Sequence, residues 1–127
     1  MATQTIGPNR VFGSATDLSL KQFYIVKVSA ANTVALASAA TDFLVGTIQN
    51  KPVSSGSVEV AMRHGGGTAK VILGGTVSIG DNLTADSAGK AVATTSAGNE
   101  VLGRALYAGD AGDIIEYMPQ TSKYAVT

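Results

Sequence analysis

The chain has 127 residues, which suits one domain and is long enough to bury a core without disulfide or metal support. Nine Lys and Arg residues balance nine Asp and Glu residues, and charged residues make up 14% of the chain, against roughly 25% in an ordinary soluble domain. This balance excludes the basic footprint of a nucleic-acid-binding or membrane-surface protein, and the absence of cysteine excludes disulfides and thiolate metal sites. A weakly charged surface with no net charge favours association with other protein.

Residues 1–20 show no sustained hydrophobic periodicity, so we expect an extended N-terminal arm there. Ile6, Val11 and Phe12 are apolar residues in the otherwise polar stretch 1–12, which makes them candidate anchors on a neighbouring protein, and we expect removal of this stretch to spare the fold. The N-terminus lacks a signal-peptide pattern, and no apolar run approaches the roughly 20 residues of a membrane span. We therefore expect a cytoplasmic product without a membrane partner.

From residue 29 onward, glycine and small polar residues divide the chain into short runs rich in Val, Ile and Thr, a spacing typical of a barrel or sandwich. In residues 58–63 and 68–73, apolar and charged side chains alternate, which predicts half-buried strands. The alanine-rich stretch 29–41 has helical propensity but lacks charges and caps, so we expect a strand and a loop there. The expected strands cover residues 22–28, 33–37, 44–49, 58–63, 68–73, 82–85, 90–94, 101–107 and 114–118.

The run His64-Gly65-Gly66-Gly67 separates two expected strands and is predicted to be a hairpin loop, since glycine adopts positive φ at no steric cost. An esterase that used this run as its oxyanion loop would also need a G-x-S-x-G nucleophile elbow and a separate catalytic histidine. The chain has neither, because His64 is its single histidine. We therefore expect no enzyme activity and no catalytic residue, and we expect His64→Ala to leave function intact.

The acidic residues also have an ordinary explanation. Residues 80–86 carry two carboxylates beside an Asn and a Thr, but they lack the alternation of an EF-hand loop, and Asp next to Gly is common in turns. Asp110 and Asp113 have the same neighbours. We expect no metal site and no cofactor.

Two halves of the sequence can be laid over each other. Aligning Gly46 with Gly103 shifts the numbering by 57 (103 − 46), and each half then has the pattern strand, polar loop, strand with a central glycine, loop, strand. The aligned runs are residues 33–37 with 90–94, 44–48 with 101–105, and 58–61 with 115–118. The pattern predicts a barrel built from a duplicated β unit. The alternative is that any β protein rich in small residues aligns with itself in this way.

Three short motifs follow one another in the second half of the chain. They are Val77-x-x-Gly80-Asp81-x-Leu83, Gly89-Lys90-Ala91-Val92 and x-x-Gly103-x-Ala105-Leu106. In this order they resemble the motifs of the decoration, or cement, proteins of tailed-phage capsids, and the resemblance covers roughly residues 22–118.

The resemblance implies an all-β fold, a small β-barrel or β-tulip-like domain at residues 21–118 between an N-terminal arm (1–20) and a C-terminal tail (119–127). It implies a structural virion protein, made in the host cytoplasm, that binds the capsid exterior and stabilises contacts between major capsid proteins. Such proteins are commonly homo-trimers at threefold or quasi-threefold positions, without catalytic residues or cofactors. Their capsid contacts involve arms and loops, which in this chain points to Ile6, Val11 and Phe12.

Two other classes of protein fit the same composition. Another virion β module, such as a head fibre base or a tail component, would differ from a decoration protein in its copy number per particle. A carbohydrate-binding adhesion module would need exposed aromatic side chains, and aromatic residues make up only 6% of the chain, with no Trp.

Overall fold

The computed structural model describes residues 9–14, 18, 20–50, 58–62 and 67–123. Within these residues the chain is all-β, with ten strands and no helix, which confirms the expected fold class. The strands in chain order are β1 (Asn9–Ser14), β2 (Ile25–Ala30), β3 (Thr33–Leu36), β4 (Leu44–Ile48), β5 (Val58–Met62), β6 (Ala69–Ile72), β7 (Asn82–Ala85), β8 (Ala91–Ala93), β9 (Glu100–Ala105) and β10 (Ile114–Lys123). Every strand from β2 to β10 overlaps a run expected from the sequence.

The N-terminal boundary of the barrel differs from the expectation. Strand β1 pairs antiparallel with β5 and parallel with β3, and its Phe12 lies in the barrel interior with 4% of its surface exposed. The expectation that residues 1–12 stay outside the core is therefore wrong for the part that forms β1, and their removal would open the barrel. Because Phe12 is the one large apolar residue that this short strand turns inward, no periodicity marks the strand in the sequence.

The C-terminal boundary also differs. Strand β10 runs to Lys123, so residues 119–123 belong to a sheet and not to the tail. Pro119 lies opposite Gly103, at the point where the pairing register shifts between Pro119 and Ser122. Proline donates no ladder hydrogen bond and is tolerated at such irregularities, so it did not end the strand here.

The strands form two five-stranded sheets. The first is a closed barrel in the order β1-β3-β2-β4-β5, in which β1 pairs with both β3 and β5. The second has the order β6-β10-β9-β7-β8. A parallel bridge between Leu73, just after β6, and Ala91 of β8 links its two outer strands.

The pairing registers show that the second sheet repeats the first. When 57 is added to both residue numbers of a pair within β2–β5, the result is a pair within β7–β10. The pair Val26↔Gly46, for example, corresponds to Leu83↔Gly103. Thr47↔Ala61 likewise becomes Arg104↔Met118. Strand β1 is related to β6 by a shift of 59 (71 − 12). Phe12 pairs with Val58 in repeat 1, and Val71 pairs with Ile115, the equivalent of Val58, in repeat 2.

The closing contact follows the same rule. Ser14↔Val34 in the first sheet corresponds to the bridge Leu73↔Ala91 in the second, with the shift of 59 on one side and 57 on the other. These registers confirm the predicted duplication. We call β1–β5 repeat 1 and β6–β10 repeat 2.

The hydrophobic core is shared between the repeats. One cluster of buried residues fills the barrel of repeat 1 and consists of Phe12, Leu18, Val26, Val34, Val45, Ile48, Val58 and Val60. A second cluster joins buried residues of repeat 2, such as Leu83, Leu102 and Tyr117, to Leu44 and Ala61 of repeat 1. Strand β4 is buried along its whole length because it has the barrel on one face and repeat 2 on the other.

Two glycines at equivalent positions allow the strands to approach closely. A Cβ atom on Gly46 would lie 1.8 Å from the carbonyl oxygen of Ala61, and one on Gly103 would lie 2.2 Å from that of Met118. No side-chain rotation relieves a clash with a backbone oxygen. The central glycine of each half is thus a steric requirement of the β4–β5 and β9–β10 pairings.

We expect Gly46→Ala and Gly103→Ala each to lower the free energy of unfolding by about 1–3 kcal/mol or more, the usual cost of overpacking a filled core. Urea denaturation at constant m-value measures the change. Gly75→Ala is the matched control, because its Cβ would meet only Val92 Cγ1 at 3.7 Å, an ordinary contact. A loss no larger than that of the control would contradict the steric explanation.

Candidate interaction surface

Backbone hydrogen bonds join the two repeats. The amide of Ile72 in β6 donates to the carbonyl oxygen of Phe23 (3.0 Å), and the amide of Ile25 donates to that of Gly89 (2.7 Å). Phe23 has a φ of 71°, whereas its equivalent in repeat 2, Gly80, has a φ of 86°. A bulky residue in this region is strained, so the hydrogen bonds and packing of the junction hold Phe23 in place.

A side-chain network lies at the same junction. The Gln49 amide nitrogen donates to the carbonyl oxygen of Lys70 (3.1 Å) and to Thr47 Oγ1 (2.8 Å). The Lys70 amide in turn donates to Gln49 Oε1 (3.4 Å), so the Gln49 side chain covers the edge of β6 as another strand would. Thr47 Oγ1 also lies 2.9 Å from the hydroxyl of Tyr117, whose pKa is raised above its ordinary value because the ring is buried.

The same face of repeat 2 is open. Arg104, Leu106 and Met118 occupy the positions that Thr47, Gln49 and Ala61 occupy in repeat 1, by the shift of 57. Thr47 is fully buried, whereas Arg104 is exposed, and Leu106 and Met118 are 39% and 46% exposed.

Ile114 is 50% exposed and lies two positions along β10 from Glu116, on the outer side of the strand. We call Arg104, Leu106, Ile114 and Met118 the outer β9–β10 face. Its three apolar side chains surround Glu116, which lies between Ile114 and Met118 on the same side of β10. Exposed apolar side chains grouped beside a charged residue are typical of a protein–protein contact.

A groove of about 680 Å³ adjoins this face. It is lined by Phe23, Lys70, Tyr107, Ala108, Asp113, Ile114, Ile115 and Glu116. Tyr107 is 57% exposed, and Glu116 accepts a hydrogen bond from the Thr68 hydroxyl. The groove therefore extends the apolar surface towards the junction of the repeats and gives it a polar rim.

The structure separates the three candidate contact residues. Ile6 lies outside the described residues. Val11 is 57% exposed on the outer side of β1, where it pairs with Glu59. Phe12 is buried in the barrel of repeat 1, so the expectation that it docks on a neighbouring protein is wrong, because strand alternation sends these two adjacent side chains to opposite faces.

Leu106, Ile114 and Met118 were missed by the sequence analysis. A signal was present in β10, where Ile114-Ile115 and Tyr117-Met118 place apolar residues on both faces of one strand. A strand with one face in water normally alternates between apolar and polar residues. Apolar residues on both faces therefore indicate that both faces contact protein.

The carboxylates act in turns, as expected. Asp81 accepts the amide of Ser78 (2.9 Å), Asp86 accepts that of Lys90 (2.9 Å), and Asp113 accepts that of Asp110 (2.9 Å). In the part of the chain that the structure describes, no group of three or more His, Asp or Glu residues could hold a metal ion. His64 lies outside that part, so the hairpin expected there is not described.

No helix within residues 9–14, 18, 20–50, 58–62 and 67–123 is long and apolar enough to cross a membrane. No protein-family model matches the chain, and no curated protein matches it. Among solved structures, the chain is similar to the N base of the head fibre protein gp8.5 of bacteriophage phi29. The TM-score is 0.66 at 22% identity, and the match covers 93% of this chain and 98% of that chain. The two chains therefore share a fold over nearly their whole length.

The buried Tyr117 hydroxyl gives a test of the junction. Tyr117→Phe removes one buried hydrogen bond and should cost about 1 kcal/mol at neutral pH. The folded-state pKa of Tyr117 is raised, so the stabilisation from keeping it neutral is complete below the unfolded pKa of about 10 and is lost as the pH rises through the folded value. The stability advantage of the natural chain over the variant should therefore shrink above pH 10.

Urea midpoints measured between neutral pH and pH 11 check this expectation. Tyr107→Phe, at an exposed ring outside the junction, is the matched control and should leave the neutral-pH midpoint unchanged. An advantage that stays constant through this range would contradict the buried position of the Tyr117 hydroxyl.

Proposed function

We propose that this chain is a structural protein of a phage virion that binds the outer surface of the capsid and stabilises contacts between major capsid proteins, without enzyme activity. The observation that carries the proposal is the shared fold, over 93% of the chain, with the N base of a phage head fibre protein. The order of the three motifs in β7, β8 and β9 supports it independently, since it resembles the capsid decoration proteins. We propose a homo-trimer at threefold or quasi-threefold positions on the capsid.

The physical properties of the chain suit such a role. Charged residues are few and sum to zero, so no net charge on the chain opposes its association with other protein. A protein that binds only the assembled shell stabilises it by mass action. An oligomer multiplies weak contacts, because each bound subunit raises the effective concentration of the next.

A head fibre base is the second candidate within the same class, and the phi29 likeness favours it. The two roles differ in copy number, since a decoration protein covers the lattice and a fibre base occupies fewer positions. The mass of this protein per purified particle distinguishes them.

The N-terminal segment is the proposed capsid anchor. Strand β1 begins at Asn9, so removing residues 1–8, which include Ile6, leaves all ten described strands in place. We expect this deletion to leave the unfolding midpoint unchanged. Occupancy on capsids that lack the protein should fall at least about tenfold, which corresponds to a loss of about 1.4 kcal/mol of binding.

Quantitative gel analysis of purified particles at a sub-saturating protein concentration measures the occupancy. Deletion of residues 124–127, which lie beyond β10 at the other end, is the matched control. If the shortened chain decorates shells as fully as the control, the anchor is elsewhere on the barrel. If the full chain does not bind capsids at all, the proposed function itself fails.

A further inference from the structure

Two lysine side chains from different repeats converge on one aromatic ring. Lys21 Nζ lies 4.8 Å and Lys90 Nζ lies 5.9 Å from the centroid of the Tyr24 ring. A cation over the face of such a ring is attracted by the electrons of the ring. Lys21 and Tyr24 precede β2 in repeat 1, whereas Lys90 directly precedes β8 in repeat 2. The packing of one repeat on the other therefore assembles this group of side chains.

Backbone hydrogen bonds hold the three residues in place. The amide of Tyr24 donates to the carbonyl oxygen of Lys21 (3.1 Å), which closes a turn. The next amide, that of Ile25, donates to the carbonyl oxygen of Gly89 (2.7 Å) and so keeps Tyr24 beside the hairpin that carries Lys90. The backbone of the group is thus ordered before any ligand arrives, and a ligand does not have to supply that ordering.

The two ammonium groups have no carboxylate partner among the residues whose positions are described, and the Tyr24 hydroxyl makes no hydrogen bond to those residues. The neighbouring carboxylate of Asp86 accepts the backbone amides of Ala88 (2.8 Å) and Lys90 (2.9 Å) instead. Lys21, Tyr24 and Lys90 are all half-buried, although lysines are mostly exposed. Partial removal of two positive charges from water favours an anion that pairs with them.

The duplication shows that the fold itself does not require these side chains. By the shift of 57, the equivalents of the three residues are Ser78, Asp81 and Thr33. The equivalent positions therefore carry no cation and no aromatic ring. Repeat 1 and repeat 2 form the same strands without a second such group, so the two lysines and the ring need an explanation other than folding.

We propose that Lys21, Tyr24 and Lys90 form a binding site for the carboxylates of an acidic segment of a partner protein. The two ammonium groups are separate point charges, and the phenol adds one hydrogen-bond donor. A segment with several carboxylates can pair with both cations at once. A phosphate is held best by the fork of an arginine or by a row of backbone amides, and the two cations of this site are lysines.

The surroundings of the site favour a protein as the partner. Leu20, next to Lys21 in the chain, is 87% exposed. Protein–protein interfaces combine apolar side chains and tyrosines with a polar rim. The chain has no net charge, so it lacks the general attraction for a nucleic-acid backbone that a basic protein has.

A titration with hexaglutamate, followed by NMR on the nitrogen-15-labelled natural chain, tests the site directly. At an ionic strength of about 0.01 M, where charges are screened least, the amide signals of Lys21, Tyr24 and Lys90 should shift and saturate with a Kd of about 1 mM or lower. Hexaglutamine has the same length without the charges and should leave these signals in place.

Two double variants separate the site from the overall charge of the chain. Lys21→Gln with Lys90→Gln should weaken hexaglutamate binding at least about tenfold. Lys70→Gln with Arg104→Gln removes the same number of charges from exposed positions outside the site and should bind like the natural chain. Lys21→Arg with Lys90→Arg keeps both charges and should retain binding. Urea midpoints close to that of the natural chain show that each variant is folded.

Three results would overturn the proposal. The first is no saturable shift at up to about 10 mM hexaglutamate, or shifts centred away from Tyr24, and this result needs no variant. The second is an equal loss of binding in the two glutamine double variants. The third is inorganic phosphate that binds as tightly as hexaglutamate, which would indicate a phosphate site. All these measurements use free protein without capsids, so their failure is distinct from a failure of the proposed function.

Discussion

The structure depends on the backbone between Phe23 and Ile25, which hydrogen-bonds to β6 and to the hairpin before β8. The positions in repeat 1 that correspond to Ile72 and Gly89 are Gly13 and Asn32, which hydrogen-bond to each other and close the barrel. In repeat 2, Ile72 and Gly89 hydrogen-bond instead to Phe23 and Ile25 of repeat 1. The two units share one topology and differ at this place, where a segment of repeat 1 packs against repeat 2 and a cluster of buried residues joins the two.

The divergence of the repeats is concentrated around this junction. Gly80 keeps the residue type that a positive φ favours, whereas its equivalent is the strained Phe23. Thr47 bonds a buried tyrosine, while its equivalent Arg104 is exposed. Buried positions inside the repeats are apolar in both, as at Val26 and Leu83 or at Val58 and Ile115. The buried positions are therefore similar in the two repeats. The outer faces differ, because the face of repeat 1 is covered by repeat 2 and the equivalent face of repeat 2 is exposed.

Much of the fold could be predicted because the strands of both repeats alternate locally. Residues 58–63 and 68–73 show their pattern in the sequence alone, and the shift between Gly46 and Gly103 reproduces the pairing register. Strand β1 could not be predicted in this way. Its partners are distant in sequence, and one of its two pairings is parallel, which no local turn signals.

The candidate surface was harder to predict than the fold. Whether Leu106 or Met118 is exposed depends on which side of the sheet receives the other repeat, and composition carries no information on that choice. The terminal residues Val11 and Phe12 are adjacent and both apolar, yet one is at the surface and the other in the core. Sequence reasoning treated both as candidate anchors, because it had not recognised the strand and could not assign its two faces.

The place of β1 has a consequence for biosynthesis. Its antiparallel partner is Val58–Met62, so the barrel of repeat 1 cannot close until that strand has left the ribosome. Leu44 and Ala61 then remain uncovered until repeat 2 has been translated, since their packing partners come from its strands. The nascent chain therefore exposes an apolar surface through the second half of its synthesis, and exposed apolar surface of this kind makes an unfinished chain prone to aggregate.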